Sequence, residues 1–423
     1  MEREFDLIIF GATGYTGRYC IEYMVKCLQN EARSYKWAVA GRSEYKVRRA
    51  KDEVSKLIEN DLSSIPVIVA DVKDEQSLEN MCRRCKVLLN CVGPYRDYGE
   101  PVTKACIQTS THQVDVAGEP QYTEKMQLLY FKDAENANVY IVNCCGFGII
   151  PFDMGVHYLE DKFKPGHVNS VEAFIDIDSY AGNHGSWDSV IGILAHRDEL
   201  IATRKKLHTE FYGSVSPNFK YPLKTTILPF ISYKLKRLCI PCFYPSDDVQ
   251  RTQLFNHIYF GQKPIQFMSY MTIAKFLYVV LLALSALFVV FFSRFKYGVK
   301  LLKKYPHLFT FGAVSKTGPT RDQVIDSHFK LTLIGHGWSE EGANENEDIN
   351  DPPDRKIVAV IKGQNSPYIS TAICLIVSAF TILEESANFP LKGGVITPGV
   401  AFRNSKIIER LNRNSVKFEI VES

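Results

Sequence analysis

Phe5-Asp6-Leu7-Ile8-Ile9-Phe10-Gly11-Ala12-Thr13-Gly14-Tyr15-Thr16-Gly17 is the stretch that decides the fold. Its first six residues form an almost wholly apolar run, the pattern of a parallel strand buried on both faces. The next seven are a G-x-x-G-x-x-G turn, and the residues from about Thr16 to Glu31 are compatible with a helix. Glycine is required where a chain turns tightly and where a pyrophosphate comes close to the backbone, its charge resting on the N–H groups that open a helix. The turn therefore points to a bound dinucleotide, with Gly11, Thr13, Gly14, Tyr15, Thr16 and Gly17 around it; the alternative is a βα turn with a structural role only.

Outward from this motif the pattern repeats. Trp37–Ala40, Pro66–Ala70, Val87–Val92, Gln113–Ala117 and Val139–Cys144 read as short strands, separated by helix-compatible stretches such as Lys46–Glu59 and Gln76–Arg84. Alternation on this scale makes an α/β fold, a Rossmann doubly wound parallel sheet, over residues 1–150. An acidic residue usually closes the second strand to hold the ribose of NAD; here that place reads Gly41-Arg42-Ser43. A guanidinium suits the 2′-phosphate that a carboxylate would repel, so Arg42 and Ser43 favour NADP over NAD; the alternative for Arg42 is an ordinary surface charge. Asp71 closes the third strand and is placed either at the adenine edge or as a cap for the next helix. Gly93 and Pro94, after the fourth strand, are placed to shape the nicotinamide cleft, and the adjacent Tyr95 either positions a substrate or packs. Asp115 and Glu119, around the end of the fifth strand, are the ionisable candidates for proton transfer, with loop fixing and helix capping as the alternative. Tyr95 and Asp153 are weaker candidates for the same role.

Asp115-Val116-Ala117-Gly118-Glu119 and Gly146-Phe147-Gly148-Ile149-Ile150-Pro151-Phe152-Asp153-Met154-Gly155, taken with the glycine turn, Gly41-Arg42-Ser43 and Gly393-Gly394-Val395-Ile396-Thr397-Pro398, resemble the saccharopine dehydrogenase-like oxidoreductases over nearly the whole chain. That group includes saccharopine reductases and trans-acting enoyl reductases of lipid assembly. The resemblance implies an N-terminal Rossmann domain, a nicotinamide cofactor and a substrate domain that closes over the strand ends. It leaves the reaction open: reduction of a lipid-related carbonyl, imine or enoyl compound, a saccharopine dehydrogenase of lysine metabolism, or a non-catalytic nucleotide-binding scaffold. A clear cluster of cationic residues for a tricarboxylate amino acid is missing from the sequence.

The 423 residues allow two to three domains. Fifty Lys and Arg against 47 Asp and Glu are too balanced for a dedicated nucleic-acid binder, so no nucleic acid is expected. Eleven cysteines, mostly in or beside apolar runs, suit a reduced, cytosol-facing compartment, and the polar start Met1-Glu2-Arg3-Glu4 leaves no room for a presequence. Cys82-x-x-Cys85 and Cys239-x-x-Cys242 lie more than 150 residues apart, the first at a helix end, so no metal is expected. The absence of G-x-S-x-G, H-E-x-x-H and P-loop patterns disfavours hydrolase and kinase chemistry. His184-Gly185-Ser186-Trp187-Asp188 reads as the cap of a helix running through Val190–Leu194.

Beyond residue 150 the strand candidates lengthen: Ser170–Asp178, Thr252–Phe260, Pro264–Thr272, His328–His336 and Lys356–Lys362. They suggest an α+β substrate domain over 151–390, with Pro367–Glu385 helical. Residues 391–423, a polar helix at Asn404–Asn412 and a strand at Val416–Val421, are expected to return to the first domain. Glu340–Asp354, with seven acidic residues and Pro352-Pro353, reads as a solvated hairpin connection. Phe276–Phe292 contains no charge, proline or glycine and is followed by Arg294, Lys296, Lys300, Lys303 and Lys304. As a helix it would be about 26 Å long, short of a hydrocarbon core of about 30 Å. Its basic and aromatic flank suits the surface of a membrane or lipid droplet. Because strands of one sheet lie on both sides of it in the chain, the segment is expected to enter one leaflet without crossing. The alternative is burial in the second domain or in a homodimer interface.

Overall fold

A computed structural model of the protein describes residues 3–178, 181–315, 317–340, 351–364 and 366–422. Two compact units emerge, one of Met1–Ile150 with Pro367–Ser415, the other of Pro151–Ser366 with Val416–Ser423.

The first unit alternates β1 (Phe5–Phe10), α1 (Tyr15–Asn30), β2 (Trp37–Gly41), α2 (Glu44–Leu57), β3 (Val67–Val69), α3 (Glu75–Cys82), β4 (Cys85–Asn90), α4 (Tyr95–Gln108), β5 (His112–Asp115), α5 (Pro120–Asn136) and β6 (Tyr140–Val142). The second unit follows with α6 (Ile150–Phe163), β7 (His167–Ile177), β8 (Gly182–Asn183), α7 (His184–Ala195), α8 (Arg197–Lys206), β9 (Phe230–Ser232), β10 (Arg237–Pro241), α9 (Phe243–Phe260), β11 (Gln266–Ile273), α10 (Phe276–Phe292), α11 (Lys296–Lys304), α12 (Pro306–Phe309), β12 (Val314–Ser315), α13 (Arg321–Ile325), β13 (His328–Trp338) and β14 (Arg355–Gln364). The chain then supplies α14 (Thr371–Glu385), β15 (Gly394–Ile396), α15 (Pro398–Ala401) and α16 (Ile407–Arg413) to the first unit, and β16 (Lys417–Glu422) to the second.

In the first unit seven parallel strands run in the order β15-β6-β5-β4-β1-β2-β3. Strand order reverses between β1 and β4, and there the carboxyl ends of two strands diverge and leave a crevice. Leu7, Ile8 and Ile9 are fully buried, as a strand covered on both faces requires. The division of the chain differs from the sequence reading: α14 belongs to the first unit, not to a second domain ending at 390. Its apolar residues point in all directions, so it needs cover all round; it packs against α1, α16, β4 and β5. Tyr368–Asn388 is the one described helical stretch long and apolar enough to cross a membrane, but 83% of its most apolar window is buried in the protein. β16 likewise pairs with β14 in the second unit rather than returning to the first.

Beyond α14, Arg410 on α16 is 5% exposed. It pairs with Glu31 at 3.0 Å, Glu384 at 2.6 Å and Glu385 at 3.0 Å. Removing the cation leaves three carboxylates facing one another. Arg410→Met is expected to cost about 3–5 kcal/mol, read as a fall in melting temperature and denaturant midpoint. Burial works to raise the Glu384 carboxyl, but hydrogen bonds from Tyr35, Arg410 and Arg33 outweigh it and hold its pKa at about 2. A depressed carboxylate contributes stability that is full above its unfolded pKa of about 4.5 and is lost as pH falls towards 2. Glu384→Gln should therefore flatten that acid limb of the stability profile.

The second unit holds a mixed sheet in the order β16-β14-β13-β7-β11-β10-β9, with β7 and β11 the parallel pair, and a small β8–β12 pair. β13 and β14 form the expected hairpin, although Glu341–Asn350 of its acidic connection lie outside the described residues. Thr252–Phe260 is a correction: it is the end of helix α9, not a strand. Val249, Thr252, Gln253 and Asn256 are buried at helical spacing, and Gly261, at φ 66°, ends the helix in the left-handed conformation. Its β-branched and aromatic residues suit a strand as well as a helix, and the helix that settles the matter starts nine residues earlier, at Phe243. His184 opens α7, capped by the Asn183 side chain.

Candidate functional site: the crevice at the sheet switch point

The crevice is built by the glycine turn. Gly11 leaves β1 at φ 91°, and its N–H donates to Ala40 O on β2 at 3.0 Å. A Cβ at Gly11 would lie 2.9 Å from Val92 Cγ2 and 3.0 Å from Cys91 O, so the turn rests directly on the chain leaving β4. Gly17, on the first turn of α1, packs even closer: a Cβ there would stand 2.2 Å from Gly11 O. Gly14 is the N-cap of α1 and has no side chain to cap it, so the first-turn amides open towards the exposed Thr13–Gly14 segment. Tyr15 and Thr16 begin the helix, and the Tyr15 ring packs on Tyr368 at 4.6 Å between centroids. Burial raises the Tyr15 phenol pKa.

Beside the turn, in register with Phe10 of β1, Asn90 ends β4 fully buried. Its Oδ1 accepts from Val92 N at 3.1 Å, which turns the amide nitrogen the other way; Nδ2 has no hydrogen-bond partner among the described residues. A buried donor without a partner at a strand end, beside a backbone cradle that a Cβ would fill, fits a ligand rich in acceptors. Asn90 was not among the site residues read from the sequence. The signal was present, as a single amide closing the otherwise apolar run Val87-Leu88-Leu89.

At the end of β2, Arg42 is exposed and makes no hydrogen bond or ion pair among the described residues, whereas Arg18 and Arg49 pair with Glu53, and Arg48 with Glu44. Ser43 caps α2, its Oγ accepting from Lys46 N. Asp71 does not cap α3; Asp74 does, while Asp71 Oδ1 accepts from Lys73 N at 3.0 Å in a local turn, half-buried at the end of β3. Gly93 and Pro94 connect β4 to α4 through a cis peptide, and a Cβ at Gly93 would meet only ordinary contacts with Tyr95.

The three candidate proton-transfer residues are committed to the scaffold. Tyr95 is buried, its hydroxyl donating to Asn90 O at 2.8 Å. Its phenol pKa is pushed well up by burial and the nearby Asp115 charge. Glu119 accepts from Tyr95 N and Arg96 N, both at 3.0 Å, and so caps the N-terminus of α4, whose own N-cap is Pro94. Asp115 is fully buried; its oxygens accept from Ala117 N, Cys144 N, Asn143 Nδ2 and Gln113 Nε2. It ties the ends of β5 and β6 together. Burial raises the Asp115 pKa against these hydrogen bonds. Asp153 lies in the second unit, fully buried, where Thr252 Oγ1 donates to it at 2.9 Å.

A doubly wound parallel sheet with a glycine turn at its switch point defines a Rossmann domain that binds a nicotinamide dinucleotide, and residues 7–142 match the family described as "Saccharopine dehydrogenase NADP binding domain". The chain belongs to the saccharopine dehydrogenase-like oxidoreductase family. It is 37% identical over 437 residues to a protein of Homo sapiens with that name, covering 100% of this chain and 98% of that one. A protein of Caenorhabditis elegans called "Lipid droplet localized protein" is 34% identical, covering 98% of each chain. Among solved structures, saccharopine dehydrogenase (L-Glu forming) of Saccharomyces cerevisiae superposes with a TM-score of 0.52 at 12% identity, covering 99% of this chain and 100% of that one; this likeness shows the fold.

Proposed function

We propose that the protein is an NADP(H)-dependent oxidoreductase held on the cytosolic surface of a membrane or lipid droplet, acting on a lipid-related carbonyl, imine or enoyl compound. The observation that carries this reading is the switch point, where the Gly11–Gly17 cradle follows β1 and Asn90, paired beside Phe10, ends β4 with an amide nitrogen that has no partner among the described residues. Gly11, Thr13, Gly14, Tyr15, Thr16 and Gly17 would hold the pyrophosphate, Arg42 and Ser43 the 2′-phosphate, and Asp71, Gly93 and Pro94 the flanks of the cofactor. The bound dinucleotide supplies the hydride chemistry; this chain's residues bind it, orient it and exclude water. Surface attachment is supported by α10, from which Phe276, Leu277, Leu287 and Phe291 project more than half exposed, and by the name of the C. elegans relative.

An unpaired guanidinium at the end of β2 should favour the 2′-phosphate. NADPH is expected to bind at least tenfold tighter than NADH, about 1.4 kcal/mol. Arg42→Ala should erase most of that difference. Calorimetry giving equal affinities for both nucleotides, or an unchanged ratio in the variant, would remove Arg42 from the site.

A second reading, a nucleotide-binding scaffold without turnover, is favoured by one observation: Tyr95, Asp115 and Glu119 are all engaged in holding α4 and the ends of β5 and β6. NADPH oxidation in the presence of lipid aldehydes, ketones or enoyl esters separates the two readings.

A further inference from the structure

The second unit contains a cavity of about 360 Å³ between α9, the start of β11 and residues 215–225. Its walls are mainly apolar, from Val215, Phe219, Leu223, Leu254, Ile265 and Phe267, with no Lys, Arg, Asp or Glu among the described lining residues. His208, Ser216 and Thr225 add uncharged or weakly basic polar groups. The volume is near the low end of the range of about 300–1,000 Å³ for small-ligand pockets, room for one chain and too little for a two-chain phospholipid.

Three glutamines line it, and they are not equivalent. Gln250 Nε2 donates to Phe267 O at 3.0 Å, joining α9 to β11. Gln266 uses both ends of its amide, accepting from Leu223 N at 2.7 Å and donating to Tyr221 O at 2.9 Å. Gln253 is 4% exposed, and its Oε1 accepts from Ile265 N at 3.1 Å. Because a backbone N–H can only donate, that bond fixes which end of the amide faces β11. The remaining Nε2 is a buried donor with no partner among the described residues. Native interiors rarely leave such a donor unused. Gln250, Gln253 and Leu254 lie at spacings of three and four residues, so all three share the face of α9 that lines the cavity.

We propose that this cavity binds a single medium-length hydrocarbon chain bearing a neutral carbonyl group, whose oxygen accepts from Gln253 Nε2. The lack of a cationic side chain in the wall selects an ester, ketone or aldehyde over a free carboxylate. Binding here requires neither cofactor nor turnover, so the site goes beyond the oxidoreductase reading.

The test is an NMR titration of the full-length protein with methyl decanoate labelled with ¹³C at the carbonyl. Saturable binding is expected, with the bound carbonyl resonance displaced downfield by the hydrogen bond. Leu254→Trp and Val215→Trp fill the cavity from two different walls, and each should weaken binding at least tenfold. Gln253→Leu should weaken methyl decanoate at least fivefold and return the bound resonance towards its value in hydrocarbon, while decane competes equally well in this variant and the parent. Non-saturable binding, an undisplaced resonance, or unchanged affinity in both tryptophan variants overturns the proposal. The combined variant Leu277→Glu, Leu287→Glu, Phe291→Glu on α10 should bind the ester normally; if it loses binding, the ester sits on that helix and the cavity assignment is wrong. Vesicle flotation of the tryptophan variants, expected to be normal, reads surface attachment separately.

Discussion

Gly17→Ala is expected to reduce dinucleotide affinity by more than a hundredfold, about 2.7 kcal/mol, and to lower the melting temperature as well. The added Cβ would sit 2.2 Å from Gly11 O, 2.9 Å from Gly11 C and 3.0 Å from Ala12 Cα, all backbone atoms. Gly11 is itself held by its contacts with Val92 and Cys91 and by the bond to Ala40 O, so it has nowhere to retreat. α1 must lift away from β1, which widens the cradle and misaligns the first-turn amides. Overpacking of this kind costs about 1–3 kcal/mol of stability. Gly14→Val is the complementary experiment. Gly14 is exposed and extended; a Cβ there would lie 3.2 Å from the same Gly11 O, a tight contact but far milder than that at Gly17, so the chain should fold with a small loss of stability while the side chain occupies the pyrophosphate position. Calorimetry and thermal melting separate the cases: a folded Gly14→Val that binds NADPH as well as the parent would mean the turn is structural only.

What the sequence made legible follows from the range of the interactions involved. β1 through β6 are short apolar runs bounded by polar helices, and burial on both faces imposes that pattern on each strand separately. The glycine turn is equally local, since Gly11 and Gly17 collide within seven residues. The side-chain roles were harder to read because they join distant elements. Glu119 caps α4 rather than its own helix, and Asp115 accepts from Asn143 and Cys144, residues that the sequence places after another helix. Either pattern, a buried carboxylate near a strand end, is what a proton-transfer residue would also look like. Arg410 meets Glu31 across 379 positions of chain. That distance also explains the misplaced boundary at 390: nothing within Thr371–Glu385 says which sheet its all-round apolar surface will cover.

Substituting Leu277, Leu287 and Phe291 together by glutamate is expected to release the protein from membranes and droplets into the soluble fraction, with little change in melting temperature. These side chains are 60%, 64% and 56% exposed, so they contribute little to the folded unit in water. Val279 and Val289, near the two ends of α10, are buried, which lays the helix along the second unit; Val289 packs with Trp187, Ile191, Leu302 and Phe309. Inserting the exposed face in a lipid surface gains about 1.5–3 kcal/mol for each fully buried large side chain. Losing three gives on the order of 5 kcal/mol, more than a thousandfold in partitioning. Arg294, Lys296, Lys300 and Lys304 are exposed just beyond the helix, so attachment to anionic vesicles should also weaken as salt rises. The connectivity bears on how the helix enters. β7 and β11 precede α10 and β13 follows it, yet β7 is the ladder partner of both, with Ser170 opposite Gln266 and Ala173 opposite Leu333. A single crossing would place β13 on the far side of the bilayer from its partner. Tags at Met1 and Ser423 should therefore share protease sensitivity on the cytosolic face, whereas protection of one tag alone would mean that the helix crosses and the sheet cannot exist as described.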